Sequence, residues 1–521
     1  MSFSRYNQRL LFGADMELKD FLRGEDLCST IKQDIVPLIN PGDFEQMYAE
    51  GGRPPISPVI LTTVTLLQFI EGLSDRAAAF NLRYRIDWKI AMGLELNDEG
   101  IHHSSLSRFR DRLAENDKAS YAFDQVLTHL CSKGLVASGG KQRIDSTHVI
   151  AKVRELTRVE LLWETLRLFC LEAGKCRIRS KSIQELVAKY SEKQSIYRLS
   201  DQDRRDAIGR AGMAMQTIID WTKTTKLFHK LEGHATFVTL KKVFEQNFKV
   251  KCAETTGETI ELIPIATGKG HICNPHDPEA QYSNKGGKGW LGYKAQIAET
   301  VPEQDIPGFI TFADVNDATD FDGDAVTPFI DEQQTMGILP AKIYADTHYN
   351  TANNIEMVSS VGAELRGPVI PLPKEDTKLD KNRGFQADLK HNRIVCPTGK
   401  KSVHFAKHSQ GKVYGSFSKT DCQPCSRRVV CEPAPRGKCI LIHPHREILT
   451  ARRAEMLTES FRKEMYQRNG IEGTLSGLVR GQKMRRSKYC GKAKTRIQIK
   501  FAGASANVKR LHQYYETERR K

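Results

Sequence analysis

KQRIDSTHVIAKV, residues 141–153, is the stretch on which the fold class turns. Upstream of it the apolar residues recur at helical spacing. Here the period changes and β-branched residues gather, so the run reads as a strand carrying Asp145. Residues 154–250 then return to helix: Leu161, Leu162, Leu166, Leu168 and Phe169, and later Leu227, Phe228 and Leu231, keep a helical repeat. A strand followed by a long helical block must find its partner strands further on. Trp290–Ala298 (WLGYKAQIA) and Gly308–Val315 (GFITFADV) are the first candidates, and Ile343–Ala345 is a short apolar run ending in Asp346. Thr351 or Asn350 caps a helix over NNIEMVSSV, closed by Gly362. Residues 374–445 are irregular, rich in charge, Pro and Cys, and Thr450–Gly477 returns to helix.

Residues 1–135 read as all-α. Ser57–Glu71 is apolar with Pro58 at its start and Gly72 at its end, Ser74 caps Asp75–Asn81, and Ser104 or Ser105 caps LSRFRDRLAEN. Arg108, Arg110 and Arg112 on that last helix suit a DNA-binding bundle, and equally any helical scaffold. The expectation is a helical N-terminal domain, 1–135, before an α/β domain, 136–521. The second domain carries a helical insertion at about 154–250, a Cys-rich insertion at about 390–440 and a basic segment at 481–521.

The chain has 521 residues and a net charge of +16. Residues 481–521 alone hold 13 Lys and Arg against 2 Glu, so most of the excess lies there. That balance favours a polyanionic partner, and Lys483, Arg485, Arg486, Lys488, Lys492 and Lys494 are the expected phosphate contacts. Tyr489, Ile497, Ile499 and Phe501 are interleaved with the cations, so the segment should pack on a core. Met1–Gly13 has no apolar core of a signal peptide, and no uncharged apolar run is long enough to span a bilayer, so a cytosolic protein with reduced thiols and no membrane partner is expected.

Three carboxylates stand out. Asp145 lies in a strand, Asp346 at the carboxyl end of one, and Glu472 on a helix four residues after Arg468, on the same face. Such a trio can hold two Mg²⁺ or Mn²⁺ ions against a phosphodiester. Each also has a plain structural role open to it: a hydrogen-bonded aspartate, a helix cap, a partner for Arg468. Asp314, Asp317 and Asp320 form a second acidic cluster, which could compete for metal or in which, the favoured reading, Asp317 caps a helix. Lys285, Lys288, Lys294 and Trp290 make a basic hairpin fit for a DNA backbone or a solvated edge, and His148 reads as a packed ring. Cys396, Cys422, Cys425 and Cys431 can close a structural Zn²⁺ site, with His404, His408 and Cys439 as rival ligands, or remain reduced thiols.

IDSTHV at 144–149, ADTHYN at 345–350 and YQRNGIEGTLSGL at 466–478 resemble the three acidic motifs of bacterial insertion-sequence DDE transposases. Residues 52–113 resemble their helical N-terminal domain, 276–295 their second and third strands, and 483–511 their basic C-terminal motif; the group designated IS eleven-eighty-two is the most similar. The resemblance covers nearly the whole chain. It implies an RNase H-like mixed sheet and metal-dependent cleavage and joining of double-stranded DNA at transposon ends. Asp145, Asp346 and Glu472 would be the metal ligands, and Tyr466 and Arg468 would approach the phosphate. A homo-oligomer on paired ends, bound to the nucleoid of a bacterial cytoplasm, is implied too. The chain departs from the pattern where Tyr466 precedes Arg468 by two residues and not three, and where Val479, followed by Arg480, holds the place of the signature lysine. A catalytically inactive relic or regulator that only binds DNA is the alternative.

Overall fold

In the computed structural model, residues 26–49, 55–192, 199–225, 232–253, 257–264, 268–371, 384–408, 412–442 and 445–521 are described. The opening segment Met1–Gly13, and Leu227, Phe228 and Leu231, lie outside them. The N-terminal part is helical as expected. Helix α1, Pro58–Ile70, is capped by Ser57 and starts on Pro58. It is followed by α2, Asp75–Tyr84, capped by Ser74, and by α3, Ile86–Ala91. Helix α4, His103–Glu115, is capped by the His102 ring and not by Ser104 or Ser105, because the imidazole Nδ1 accepts the Ser104 N–H. Helix α5, Tyr121–Ser132, closes this part.

The 141–153 run is strand β1, Lys141–Ile150. The chain then leaves the sheet for helices α6 (Arg158–Ala173), α7 (Lys181–Ser191), α8 (Asp201–Thr224) and α9 (Ala235–Asn247). A two-stranded ladder, β2 (Phe248–Ala253) with β3 (Gly257–Leu262), ends the excursion. These helices bury a core of their own around Leu162, Phe169, Met215, Ile218, Leu240 and Phe244. Two further strands, β4 (Gln281–Lys285) and β5 (Lys288–Thr300), form a hairpin whose Gly286–Gly287 turn takes positive φ at both residues, the form that suits the twist of paired strands. Strand β6, Ile310–Asp317, pairs with β5.

Helix α10, Val326–Thr335, precedes the short strand β7, Lys342–Tyr344, and α11, Ala352–Ser360, capped by Thr351, leads to β8, Glu364–Arg366. The sheet is mixed: β5 pairs antiparallel with β1, while β7 runs parallel to β1 and β8 parallel to β7. The stretch read as irregular contains short strands. These are β9 (Gln386–Asp388) with β10 (Arg393–Val395), and β11 (His404–Lys407), β12 (Val413–Ser416) and β13 (Cys439–Ile442). At three or four residues each, they are too short to show a period. The helix expected over 450–477 is two: α12, Arg446–Glu455, and α13, Glu459–Arg480, which Thr458 caps.

Helix α14, Lys492–Arg520, passes through the largest core, and Thr495 and residues 497–508 are all buried. It packs on β6 on one side and on α1 and α5 on the other, with Phe501 stacked on Phe69 at 5.9 Å. Each polar residue it buries has a partner. Asn507 both donates to Ile310 O and accepts from Ile310 N at 2.8 Å, Ser505 bonds Leu66 O, and Lys500 pairs with Glu332 at 3.2 Å. The N-terminal helices and the sheet therefore share one core. Among the described residues no helix is long and apolar enough to cross a membrane.

Candidate active site

Parallel pairing of β1 with β7 sets Arg143 beside Tyr344. Two residues on, each strand delivers an aspartate to the same end of the sheet: Asp145 from β1 and Asp346 just past β7. Asp145 is mostly buried, and its Oδ1 accepts the Ser146 N–H at 2.7 Å. Asp346 accepts the His348 N–H at 2.8 Å, and the His348 ring lies 3.6 Å from its other oxygen. Burial pushes the Asp145 carboxyl above its ordinary range, and the charge of Asp346 adds to this; Ser146, Arg468 and Lys285 oppose it. Two carboxylates crowded together against their mutual repulsion are the donor set that a hard divalent cation relieves.

Helix α13 brings the remaining groups. Arg468 donates to Asp145 Oδ2 at 3.1 Å, and its other nitrogen lies 3.8 Å from Glu472 Oε1. One guanidinium thus spans the first and third acids. Glu472 itself is 68% exposed. Among the described residues no three His, Cys, Asp or Glu side chains are grouped as metal ligands, so Glu472 stands next to the aspartate pair without closing a shell. Tyr466 is 71% exposed and lies about 200° around the helix from Arg468, so the structure does not bring it to that face.

What aims α13 at the sheet was not visible in the motifs. Glu299 on β5 is buried and accepts from Arg143 at 2.7 Å, Thr474 at 2.6 Å and Arg510 at 2.8 Å. Arg143 also donates to Gln467 O at 2.9 Å, and its guanidinium fills the space beside Gly470, where a Cβ would sit 2.0 Å from Nη1. One turn earlier, Glu464 takes Lys342 at 2.9 Å and Arg366 at 2.7 Å, which tether α13 to β7 and β8. Against burial, which would raise it, these two cations draw the Glu464 carboxyl down to about 2. A run of Gly and Thr at 470–477 was the only local signal for this docking.

The expected phosphate contacts at 483–494 correct differently. Lys483 donates to Gly72 O at 2.9 Å, and Arg485 to His148 O at 2.8 Å. Lys488 lies over the Phe69 ring, and its burial, with the nearby Arg110 charge, holds its ammonium below the usual range. Lys492 pairs with Asp317 at 2.9 Å, Lys494 with Asp111 at 2.6 Å and Arg496 with Asp314 at 2.6 Å. Asp317 is thus a strand-end partner and not a helix cap. Arg486 is exposed and meets Ile150 in an isolated β-bridge. On α4, Arg110 is buried on Asp75 at 2.5 Å with the Tyr489 ring over it, and Arg112 lies over Tyr48. Of these cations, Lys483, Lys488 and Lys494 reach the N-terminal helices and Arg485, Lys492 and Arg496 the sheet, while Arg486 stays exposed.

Cys396, Cys422, Cys425 and Cys431 do line one cavity, of about 30 Å³. Thr398 Oγ1, not a fourth thiol, sits 3.1 Å from Cys396 Sγ and 3.9 Å from Cys425 Sγ. No metal-ligand group forms among the described residues there either, so the expected zinc site has no support in the geometry. Neither His404 nor His408 lines the cavity.

Two family models match the chain. The family described as Transposase domain (DUF772) covers residues 16–112, and the family described as Transposase DDE domain covers residues 395–512. No curated protein and no solved structure matches it.

Proposed function

Because the chain is a DDE transposase, with a transposase domain matched over residues 16–112 and a transposase DDE domain over 395–512, we propose that Asp145, Asp346 and Glu472 are its catalytic acids. The observation that carries this reading is the β1–β7 register, which sets Asp145 and Asp346 side by side where α13 returns Arg468 and Glu472. The strand order β6–β5–β1–β7–β8, three antiparallel and then two parallel, supports an RNase H-like core in this family. Motif resemblance further favours the IS eleven-eighty-two-like group.

Enzymes of this kind use divalent metal ions such as Mg²⁺. The three acids are the residues that would hold them; two ions there would supply charge neutralisation for in-line displacement at phosphorus. The chain's own groups do the rest. Ser146 and His348 N–H groups orient the aspartates. Arg468 stands where a non-bridging phosphate oxygen would meet its guanidinium. Water attacks the phosphodiester at the transposon end, one P–O bond breaks, and a 3′-hydroxyl is released. That hydroxyl then attacks a target phosphodiester, forming one P–O bond as another breaks. Double-stranded DNA ends and target DNA are the partners, a homo-oligomer pairs the ends, and the protein works on chromosomal DNA. The reading as an inactive relic has no observation in its favour.

The test is cleavage and strand transfer on duplexes carrying the DNA that flanks the coding region, with and without Mg²⁺. Metal-dependent nicks ending in 3′-hydroxyls that join to target DNA are expected. Binding without any nick under Mg²⁺ or Mn²⁺ refutes the catalytic reading.

A further inference from the structure

Resting on the reading of Asp145 and Asp346 as acids that hold metal, we propose that Gln296 and Asn350 are positioning residues, two buried amides that fix the spacing of those acids at a cost in stability.

The sheet alone does not set that spacing. Strand β7 pairs with β1 only from Lys141 to Arg143, against Lys342 to Tyr344, and this ladder stops two residues short of each acid. Side chains take over where it ends. Asp346 and Tyr349 belong to one turn, in which the Tyr349 N–H donates to Asp346 O at 3.2 Å. The Tyr349 ring is fully buried, and its hydroxyl donates to Gln296 Oε1 on β5. Gln296 faces Ser146 in the antiparallel register of β5 with β1, one residue from Asp145. The turn that carries Asp346 is thereby tied, through β5, to the strand that carries Asp145.

Asn350 holds the same turn from within. Its Nδ2 donates to Asp346 O at 2.8 Å and to Ala345 O at 3.2 Å. These carbonyls belong to the peptide groups on either side of the Asp346 Cα, so one amide fixes both. Gly367, just past β8, leaves it room, because a Cβ there would collide with the Asn350 amide and with Ala345 O.

Both amides are only half satisfied. Gln296 Nε2 and Asn350 Oδ1 are buried and have no hydrogen-bond partner among the described residues. An unpaired buried polar atom costs free energy that an apolar side chain of the same shape would not. Gln296 sits between Ala295 and Ile297, both fully buried, so packing by itself asks for an apolar residue there. Amides kept at such a cost beside two like charges act on the geometry of those charges.

The test uses the full chain on end duplexes, with Mn²⁺ as the probe ion. The double variant Tyr349→Phe/Gln296→Leu removes both partners of one bond, and Asn350→Ala removes the other clamp. Each should raise the Mn²⁺ needed for half-maximal cleavage about tenfold to a hundredfold. Electron paramagnetic resonance should count correspondingly less bound Mn²⁺. Cleavage at saturating Mn²⁺ should return to near the wild-type rate, because the acids are intact, and gel shifts should be unchanged. The double variant should melt at or above the wild-type temperature, since it buries fewer unpaired polar atoms. A double variant with wild-type Mn²⁺ dependence overturns the proposal, and so does one whose melting temperature falls in step with its cleavage. Asp346→Asn separates this proposal from the reading beneath it. Cleavage lost in that variant and not restored by Mn²⁺ upholds the acids whatever the amides do. Wild-type cleavage by Asp346→Asn overturns the acids and the positioning role together.

Discussion

Asp346 sits on a tight turn that its own carboxylate helps to build, by accepting the His348 N–H. Asparagine keeps an oxygen for that bond and loses the charge. Asp346→Asn should therefore fold and bind DNA as before, while cleavage drops by more than the roughly hundredfold that loss of an outer-shell partner costs, as its proposed role in holding metal requires; gel shifts and end-labelled nicking separate the two. Glu464 belongs to the same scale but acts on stability. Its carboxyl is drawn from 4.5 to about 2 by the hydrogen bonds from Lys342 and Arg366, against its burial. A lowered acid is ionised in the fold where the unfolded chain has begun to bind protons. Its contribution is thus complete above pH 4.5 and is lost as the pH falls from there toward about 2. Glu464→Gln should lower the denaturation midpoint at pH 7, and the gap from wild type should close as the solution is acidified through that window. A gap that persists to the acid end means the tether is not electrostatic.

Helix α13 is aimed by what it lacks. Gly470 leaves room for the Arg143 guanidinium, and Gly473, one turn along, has nothing within 4 Å of a Cβ. Gly470→Ala should cost about 1–3 kcal/mol through overpacking and shift α13 off β1, lowering cleavage with it. Gly473→Ala should be neutral or stabilising by up to about 1 kcal/mol, since it only gains helix propensity. Equal effects from the two would mean that backbone flexibility, and not the Arg143 contact, matters here. At this scale much was legible. The Pro58 helix start, the Ser74 and Thr351 caps, the strand around Asp145 and the Gly362 stop all follow from local pattern, because caps and periods are set by near neighbours. The helix break at 456–458, the His102 cap and the short strands of 386–442 were not, because three- or four-residue elements carry no period and are fixed by what they pack against.

Across the whole molecule, α14 is the joint. Removing residues 482–521 would take the middle out of the largest core, so the truncated chain should be insoluble and not merely weaker on DNA. Lys500→Met tests the joint more gently: Glu332 loses its cation, and a cost near the low end of about 3–5 kcal/mol is expected because that carboxylate keeps some access to water. Salt titrations of DNA binding distinguish surface from interior cations. Lys285→Gln should flatten the slope by about one, whereas Lys488→Gln should leave it unchanged. The sequence by itself determined the helix–strand order, the two aspartates at strand positions, the Arg468–Glu472 pair on one helix face and the packing of the C-terminal segment. These are properties of residues close along the chain. Only the tertiary structure decided where the basic segment's charge goes and how Glu299 and Gly470 dock α13. Asp314, Asp317, Asp111 and Glu332 lie far in sequence from the cations they neutralise, and charge compensation acts through space, so no local reading could assign it.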